Sequence, residues 1–241
     1  MLKAITPVAA LLFSVALLLT GNGLQVPLLA VRGELESFST LSIGLVGSFY
    51  FVGFAAGCML GPRLIGRVGH IRTFAAMASI ASAVPLLHAL VPLPTPWWAM
   101  RVVTGFAFAV LYIVIESWLA ERSTSQTRGT VLSLYQIINL TMITVGQMMM
   151  TLADPMGYAL FAATSVLISA AAVPVALTAS PAPEPVVSTR LRVGHLYRTS
   201  PVGFIGCLAV GLANGTWWSL VPVFGRRSEE HTSELQSPCN L

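Results

Sequence analysis

The sequence is short of charge. Of its 241 residues, 9% are charged and 55% are hydrophobic, whereas soluble domains carry about 25% charged residues. A soluble fold of this length would expose more apolar surface to water than so few charges could keep dissolved. Because only helices and closed barrels satisfy their backbone groups in lipid, and the apolar runs here have helical length, we predict an all-α integral membrane protein.

Lysine and cysteine are also scarce. The only lysine is Lys3, so no late helix offers an amine for the Schiff base of a retinal protein. Cys58, Cys207 and Cys239 show no paired spacing, which argues against a disulfide framework or a metal site. The sequence holds no phosphate loop, no metal-binding cluster and no Ser-His-Asp set on one surface. We therefore expect no enzymatic activity and no cofactor.

What the sequence has in abundance is apolar runs of the length that crosses a bilayer, about 20 residues each. The first charge-free run, residues 4–31, exceeds the apolar core of a signal peptide and predicts an uncleaved first helix. Seven spans are predicted in all. They cover residues 5–29, 41–60, the part of 73–100 that precedes a turn at 92–96, 97–120, 129–152, 156–177 and 201–224.

These spans divide the chain into parts. Residues 1–178 are predicted to form a six-helix transmembrane bundle, 179–199 a cytoplasmic linker rich in proline and arginine, and 200–225 the first helix of a second bundle. The pairs Asn22-Gly23 and Asn214-Gly215 occupy similar depths in spans one and seven. Such a match is typical of a transporter built from two six-helix repeats.

The last stretch, residues 226–241, is polar and unlike the rest of the chain. Residues 227–237 resemble the translation of a sequencing adapter. We interpret this stretch as an artefact and expect the gene to continue with further spans; the alternative is a genuine polar tail.

The positions of basic residues predict the orientation of the chain. The outer loops between spans carry only Arg32 as a basic residue, whereas the opposite segments carry Lys3, Arg63, Arg67, Arg72, Arg122, Arg128, Arg190, Arg192 and Arg198. We expect a multi-pass protein of the inner (plasma) membrane with a cytoplasmic N-terminus. The net charge of +4 then reflects topology, and we expect no nucleic-acid partner. Trp97 and Trp98 are expected at the outer interface.

Two charges fall inside a predicted span, Arg101 and Glu116 of span four. They lie about 22 Å apart along a helix and are offset by only about 60°, so both share one broad face with Tyr112. Arg101 is a candidate for contact with an anion or substrate, or for tuning a proton site; the alternative is an arginine that snorkels to the interface. Glu116 is either a protonation site or, as we favour, a latch to the arginines between spans two and three.

Amide side chains provide a second polar stripe. Gln136, Asn139 and Gln147 share a face of span five, and Asn22 and Gln25 lie in span one. These amides either line a cavity or hold helices together. In span two, Gly53, Gly57 and Gly61 recur every fourth residue, which predicts a close-packing face.

The segment after span two reads Gly61-Pro-Arg-Leu-Ile-Gly-Arg-Val-Gly-His-Ile-Arg72. It resembles the cytoplasmic signature of the major facilitator superfamily, in which an Asp-Arg-x-Gly-Arg-Arg core follows a glycine. Arg67 and Gly69 match that core, Gly66 stands where the aspartate is expected, and His70 replaces an arginine.

Span four extends the resemblance. Residues 101–105, Arg-Val-Val-Thr-Gly, are similar to the family's Arg-x-x-x-Gly pattern, in which the arginine is tied to proton coupling. The layout of Arg101, Val-Ile-Glu-Ser at 114–117, Thr-Arg-Gly at 127–129 and Gly-Gln at 146–147 resembles the YcaD-like branch. The Gly-Pro-x-x-Gly-Gly motif of many drug antiporters is absent from span five.

The resemblance implies a secondary transporter of twelve helices in two bundles, which alternates access around a central cavity. The expected partners are the lipid bilayer and a small solute, with protons as a candidate coupling ion. The candidate cavity residues are Asn22, Gln25, Arg101, Tyr112, Gln136, Asn139 and Asn214, and the candidate cytoplasmic gating residues are Gly61, Arg67, Gly69, Arg72 and Glu116. The alternative is a seven-helix receptor or assembly subunit that does not transport.

Overall fold

The regular elements of the described chain are all helices. A computed structural model describes residues 8–177, 193–206, 209–210 and 224–225. The helices are α1 (Ala9–Leu35), α2 (Thr40–Val68), α3 (His70–Leu90), α4 (Pro94–Arg122), α5 (Arg128–Met148), α6 (Ala159–Ala170), α7 (Ala172–Ala176) and α8 (Val193–Thr199), with a 3₁₀ turn, Met149–Leu152, after α5.

Six helical stretches are long and apolar enough to cross a membrane: α1 to α4, α5 with its 3₁₀ turn, and α6 with α7. They correspond to the first six predicted spans, and the prediction of an all-α membrane protein is confirmed. Most of the seventh predicted span, with Asn214, lies outside the described residues, as do most of the predicted linker and the whole of the polar tail.

The helices run past the ends that the charged residues predicted. The last turn of α1 includes Arg32, and α2 continues through the arginines of the signature to Val68. Residues 61–72, which fall between predicted spans two and three, are therefore almost wholly helical, and Gly69 alone separates α2 from α3. Its φ of 88° lies in a region that glycine adopts without steric cost. The prediction was wrong because a helix does not end where the hydrocarbon ends.

The packing of the bundle follows two close helix pairs. α2 lies along α4, and α1 lies along α5, while α3 and α6 pack behind them against α4 and α1. The shared core is apolar and includes Leu18, Phe74, Phe108, Leu111 and Ile168, all fully buried. α1 and α4 are the most deeply buried spans, whereas α2 and α5 keep most of their surface exposed.

Glycines set the distance between α2 and α4. A Cβ atom added at Gly57 would lie 2.7 Å from the Cβ of Ala109, and one added at Gly53 would overlap the carbonyl of Val102. From the other side, Gly105 of α4 faces the backbone of Tyr50 equally closely. The four-residue glycine spacing of α2 thus forms the close-packing face that it predicted.

Trp97 lies in the first turn of α4 and its ring is turned into the bundle. Its ring is fully buried, and its Nε1–H donates to the carbonyls of Val91 at 2.8 Å and His88 at 3.2 Å. The ring also meets those of His88 and Phe38 edge to face. Trp98 is half-buried and donates to a carbonyl of α2. Burial of Trp97 therefore fixes the short connection between α3 and α4.

Arg32 joins the end of α1 to the connection that precedes α6. Its Nη2 lies 2.7 Å from a carboxylate oxygen of Glu36, and its Nη1 donates to the carbonyls of Pro155 and Met156. One side chain thus bonds to segments more than a hundred residues apart in the sequence. We call this group, Arg32 with Glu36, Pro155 and Met156, the arginine clamp.

The glycine contact predicts a difference between two identical substitutions in α2. Gly53→Ala should lower the free energy of unfolding by about 1–3 kcal/mol, since the new methyl group is forced against the backbone of Val102. Gly44→Ala is the control, because a Cβ there meets nothing within 4 Å. Thermal unfolding in detergent measures both. Equal melting temperatures for the two variants would contradict the close contact.

The arginine clamp predicts a second difference. Arg32→Gln should lower the free energy of unfolding by about 1–2 kcal/mol, because it removes charge-assisted bonds to two carbonyls as well as the ion pair. Glu36→Gln removes the ion pair alone and should cost less than about 1 kcal/mol. Chemical denaturation in detergent micelles compares the two. If Glu36→Gln costs as much as Arg32→Gln, the carbonyl contacts contribute nothing.

Candidate functional site

A cavity of about 330 Å³ lies between the two close helix pairs. It is lined by residues of α1 and α5 on one side and of α2 and α4 on the other. The polar residues in its lining are Asn22, Tyr50, Arg101, Asn139 and Gln147, and the rest of the lining is apolar or glycine. A cavity of this size, mainly apolar with a few converging polar groups, is typical of a small-molecule site.

The helix packing explains why a space exists here. α1 touches α5 through glycines: a Cβ at Gly23 would lie 2.8 Å from the Cα of Ile143, and one at Gly146 would lie 2.8 Å from the backbone nitrogen of Leu24. α2 and α4 meet in the same way through Gly53 and Gly105. Between the two pairs there are few close backbone contacts, and side chains of the apolar core join them. Each pair is dense inside, so the unfilled volume lies between the pairs.

Arg101 contributes the cavity's charge and is itself 4% exposed. Its Nε donates to the carbonyl of Val46 at 3.4 Å, and its guanidinium carbon lies 4.4 Å from the centre of the Tyr50 ring. Nη1 has no hydrogen-bond partner among the described residues. The side chain therefore does not snorkel to an interface: it lies inside the bundle on a cation–π contact with donor capacity unused.

The amides of the lining face Arg101 from the other helix pair. Asn22 comes from α1, and Asn139 and Gln147 come from α5. The Oδ1 atom of Asn22 is buried and accepts no hydrogen bond from the described part of the chain. Three of the positions predicted for the cavity, Asn22, Arg101 and Asn139, are thus brought together, and Gln147 of the predicted amide stripe joins them.

Other candidates lie elsewhere in the described bundle. Gln25 is fully buried outside the lining, and neither amide atom has a partner among the described residues. Tyr112 packs against the rings of Phe54 and Phe108, and Gln136 is exposed. Both also lie outside the lining. Helix periodicity predicted a shared face for Tyr112 with Arg101 and for Gln136 with the other amides of span five. Such a face is about 60° wide and extends along the helix beyond the cavity.

Tyr50 and Val46 were missed by the sequence analysis. Both lie on α2 and hold the Arg101 guanidinium, through the ring and through the backbone carbonyl. Nothing in the run Ser-Phe-Tyr-Phe at 48–51 distinguishes the tyrosine from its neighbours. Its role depends on the register between α2 and α4, which the glycine contacts set.

The predicted gating residues gather where α2, α3 and α4 meet, but the latch is not formed in this conformation. Glu116 is exposed, and no ion pair joins it to Arg67 or Arg72 among the described residues. The contact across this region is made instead by its neighbour: Nε2 of His70 lies 3.1 Å from Oγ of Ser117. Because that hydroxyl already donates to Val114, it accepts from the imidazole.

The glycines of the signature have packing and turn roles. Gly61 is buried, and a Cβ there would lie 3.1–3.2 Å from side-chain atoms of Ile113 and Val110 in α4. Gly69 forms the turn described above. Arg67 is exposed, and Arg72 is exposed in the first turn of α3.

Known proteins resemble this chain over most of its length. The profile of the Major Facilitator Superfamily matches residues 11–239. The uncharacterized MFS-type transporter YcaD of Escherichia fergusonii is 28% identical over 219 residues, which is 87% of this chain and 57% of that protein. YcaD of Escherichia coli strain SE11 is 27% identical with the same coverage. An MFS-type transporter of Enterobacter sp. strain 638 is 26% identical over 78% of this chain and 50% of its own length.

The chain therefore spans about half the length of the curated relatives that it matches. No solved structure matches it. The family profile covers nearly all of the described bundle, and the relatives agree with the resemblance of span four to the YcaD-like branch. The chain belongs to the major facilitator superfamily.

Proposed function

We propose that this chain is part of a secondary transporter that moves a small solute across a bacterial inner membrane by alternating access. The observation that carries this proposal is the cavity between the α1–α5 pair and the α2–α4 pair, which holds one buried cation among amides and apolar side chains. The relatives, which are named MFS-type transporters, support it. The N-terminus is proposed to be cytoplasmic because of the arginine distribution.

The packing of the two pairs suggests how access could change. Backbone contact at glycines makes each pair a stiff unit, whereas the two pairs meet through side chains of the apolar core and have few close backbone contacts. The exposed faces of α2 and α5 offer apolar surface for a second bundle, such as the resemblance implies and the relatives' length allows. Rocking of one unit against another would open the cavity first to one side and then to the other.

Alternating access can be tested before the solute is known. In the complete gene product, with its native cysteines replaced by serine, Asn139→Cys should react with a membrane-impermeant maleimide in right-side-out and in inside-out vesicles. The reason is that Asn139 lines the cavity, which opens to each side in turn. Mass spectrometry of the labelled protein measures the reaction.

The control is Val166→Cys, on the exposed face of α6 and outside the lining. It should remain unlabelled from both sides because lipid covers that face. Labelling of Asn139→Cys from one side only, under every condition, would contradict alternating access and favour the receptor or subunit.

We also propose that the junction of α2 and α3 with α4 is the cytoplasmic gate, formed by Gly61, Arg67, Gly69, Arg72 and Glu116. Gly69 supplies a one-residue hinge whose positive φ suits a change of angle between helices. Glu116 and Arg67 are both exposed here, so both remain able to pair when the cytoplasmic side closes. In this proposal the His70–Ser117 contact holds the start of α3 on α4.

Loss of this latch should shift the transporter toward the state open to the cytoplasm. Glu116→Gln is expected to raise labelling of Asn139→Cys from the cytoplasmic side by about two- to fivefold, the effect of an ion pair worth up to about 1 kcal/mol. Glu121→Gln is the matched control, since Glu121 is exposed on the same helix five residues further on. Equal labelling rates in the two variants would remove Glu116 from the gate.

A further inference from the structure

The cavity between the helix pairs is lined by one charged side chain among the described residues, and that charge is positive. We propose that its ligand is a small organic anion, a monocarboxylate with an apolar body, whose carboxylate pairs with Arg101. The proposal rests on the proposed function, in that it takes this cavity as the substrate site, and it adds the chemical class of the substrate.

The first argument is electrostatic. Arg101 is the one charged residue in the lining that the structure describes, and a guanidinium stays protonated in proteins. Burial of a charge at membrane depth is costly unless a partner compensates it. The partners present are a carbonyl oxygen at 3.4 Å and a ring face at 4.4 Å, and neither carries a full negative charge. An anion would complete this environment, and a cation would be repelled.

The second argument is that part of the buried guanidinium has no hydrogen-bond partner. The Tyr50 ring covers one face of the guanidinium, and the carbonyl of Val46 occupies Nε. Nη1 is left without a partner among the residues described. The N–H groups of arginine form a rigid fork that matches the two oxygens of a carboxylate. A carboxylate therefore fits the unused part of the guanidinium better than a hydroxyl or an amide does.

The third argument concerns the rest of the ligand. Apart from the polar residues, the cavity is lined by side chains such as Val26, Leu29, Ile43 and Leu140, which favour an apolar body. One guanidinium neutralises one charge, so a monoanion is matched and a phosphate dianion is not. The amides of Asn22, Asn139 and Gln147 can accept a hydrogen bond from one further polar group of the ligand or donate one to it. The volume of about 330 Å³ suits a molecule with a single ring or a short chain.

Three probes of nearly equal shape test the charge. Benzoate, benzamide and benzamidinium share a ring and a planar head and differ in charge. Binding to the complete gene product in lipid nanodiscs is measured by isothermal titration calorimetry. Benzoate should bind at least about tenfold more tightly than benzamide, since a charge-assisted pair is stronger than a neutral hydrogen bond, and benzamidinium should bind most weakly. Equal affinities, tighter binding of benzamidinium, or no binding of benzoate would overturn the proposal.

Matched variants test whether Arg101 binds the carboxylate. Arg101→Gln should lower benzoate affinity at least about tenfold, to the level of benzamide, and leave benzamide binding unchanged. Arg128→Gln, at an exposed position at the start of α5, should change neither. If Arg101→Gln does not elute as a single folded species, the comparison of the three probes on the unsubstituted protein still tests the charge of the ligand. The binding site is tested by protection, since benzoate bound in the cavity should slow maleimide labelling of Asn139→Cys. Failure to protect would overturn the assignment to this cavity.

The outcomes separate this inference from the proposed function. Labelling of Asn139→Cys from both sides together with a preference for benzamidinium would leave the transporter standing and remove the anion. Benzoate binding that depends on Arg101, with labelling from one side only, would keep the anion site and remove alternating access.

Discussion

Backbone contact at glycines is the constraint on which the described structure depends. In lipid the hydrophobic effect does not drive helices together, so association relies on close van der Waals packing. Gly53 and Gly57 bring α2 onto α4, and Gly23 and Gly146 bring α1 onto α5. Helices that approach so closely have no room for larger side chains between them. Arg101, Asn22 and Asn139 lie instead at the boundary between the pairs, where the cavity is.

The position of Arg101 follows from this arrangement. Gly105, one turn after the arginine on α4, abuts the backbone of Tyr50 on α2, and that register places the Tyr50 ring against the guanidinium. The same close approach brings the Val46 carbonyl within reach of Nε. A buried cation that is held on two sides by weak partners is costly for stability. That cost is accounted for if the arginine binds a ligand, since an apolar side chain would pack at this position at a lower cost in free energy.

The sequence predicted the spans well because each lies between charged residues, and a helix of spanning length is the only common way to accommodate about 20 apolar residues. It predicted the ends poorly, since α1 and α2 continue through Arg32 and Arg67 into more polar surroundings. Trp97 shows a related limit: its position beside a span end could be read from the sequence, but the inward direction of its ring is set by the fold of the α3–α4 connection.

For the site, the sequence could identify polar residues in apolar spans but not which helices face each other. Arg101, Asn22 and Asn139 were found because a polar side chain in a span is costly without a role. Tyr50 was not found, because an aromatic ring in a span has no such cost. Gln136 was included because helical phase alone assigns a face to within about a quarter turn, and Gln25 was included as an amide in the same span as Asn22. The missing information is interhelical register, and in this bundle the glycines carry it.

The two ends of the described bundle are held by different kinds of interaction. At one end the arginine clamp, with Arg32 bonded to Glu36 and to the α5–α6 connection, and the buried Trp97 join neighbouring segments through several polar contacts. At the other end α2 and α3 are joined by Gly69 alone, and the neutral His70–Ser117 contact holds the start of α3. Charge-assisted contacts are stronger than neutral ones. The apolar core is nevertheless larger at the end that carries the family signature, where Leu11, Trp118 and Val131 are buried, so apolar packing and not polar contact holds the helix pairs together there.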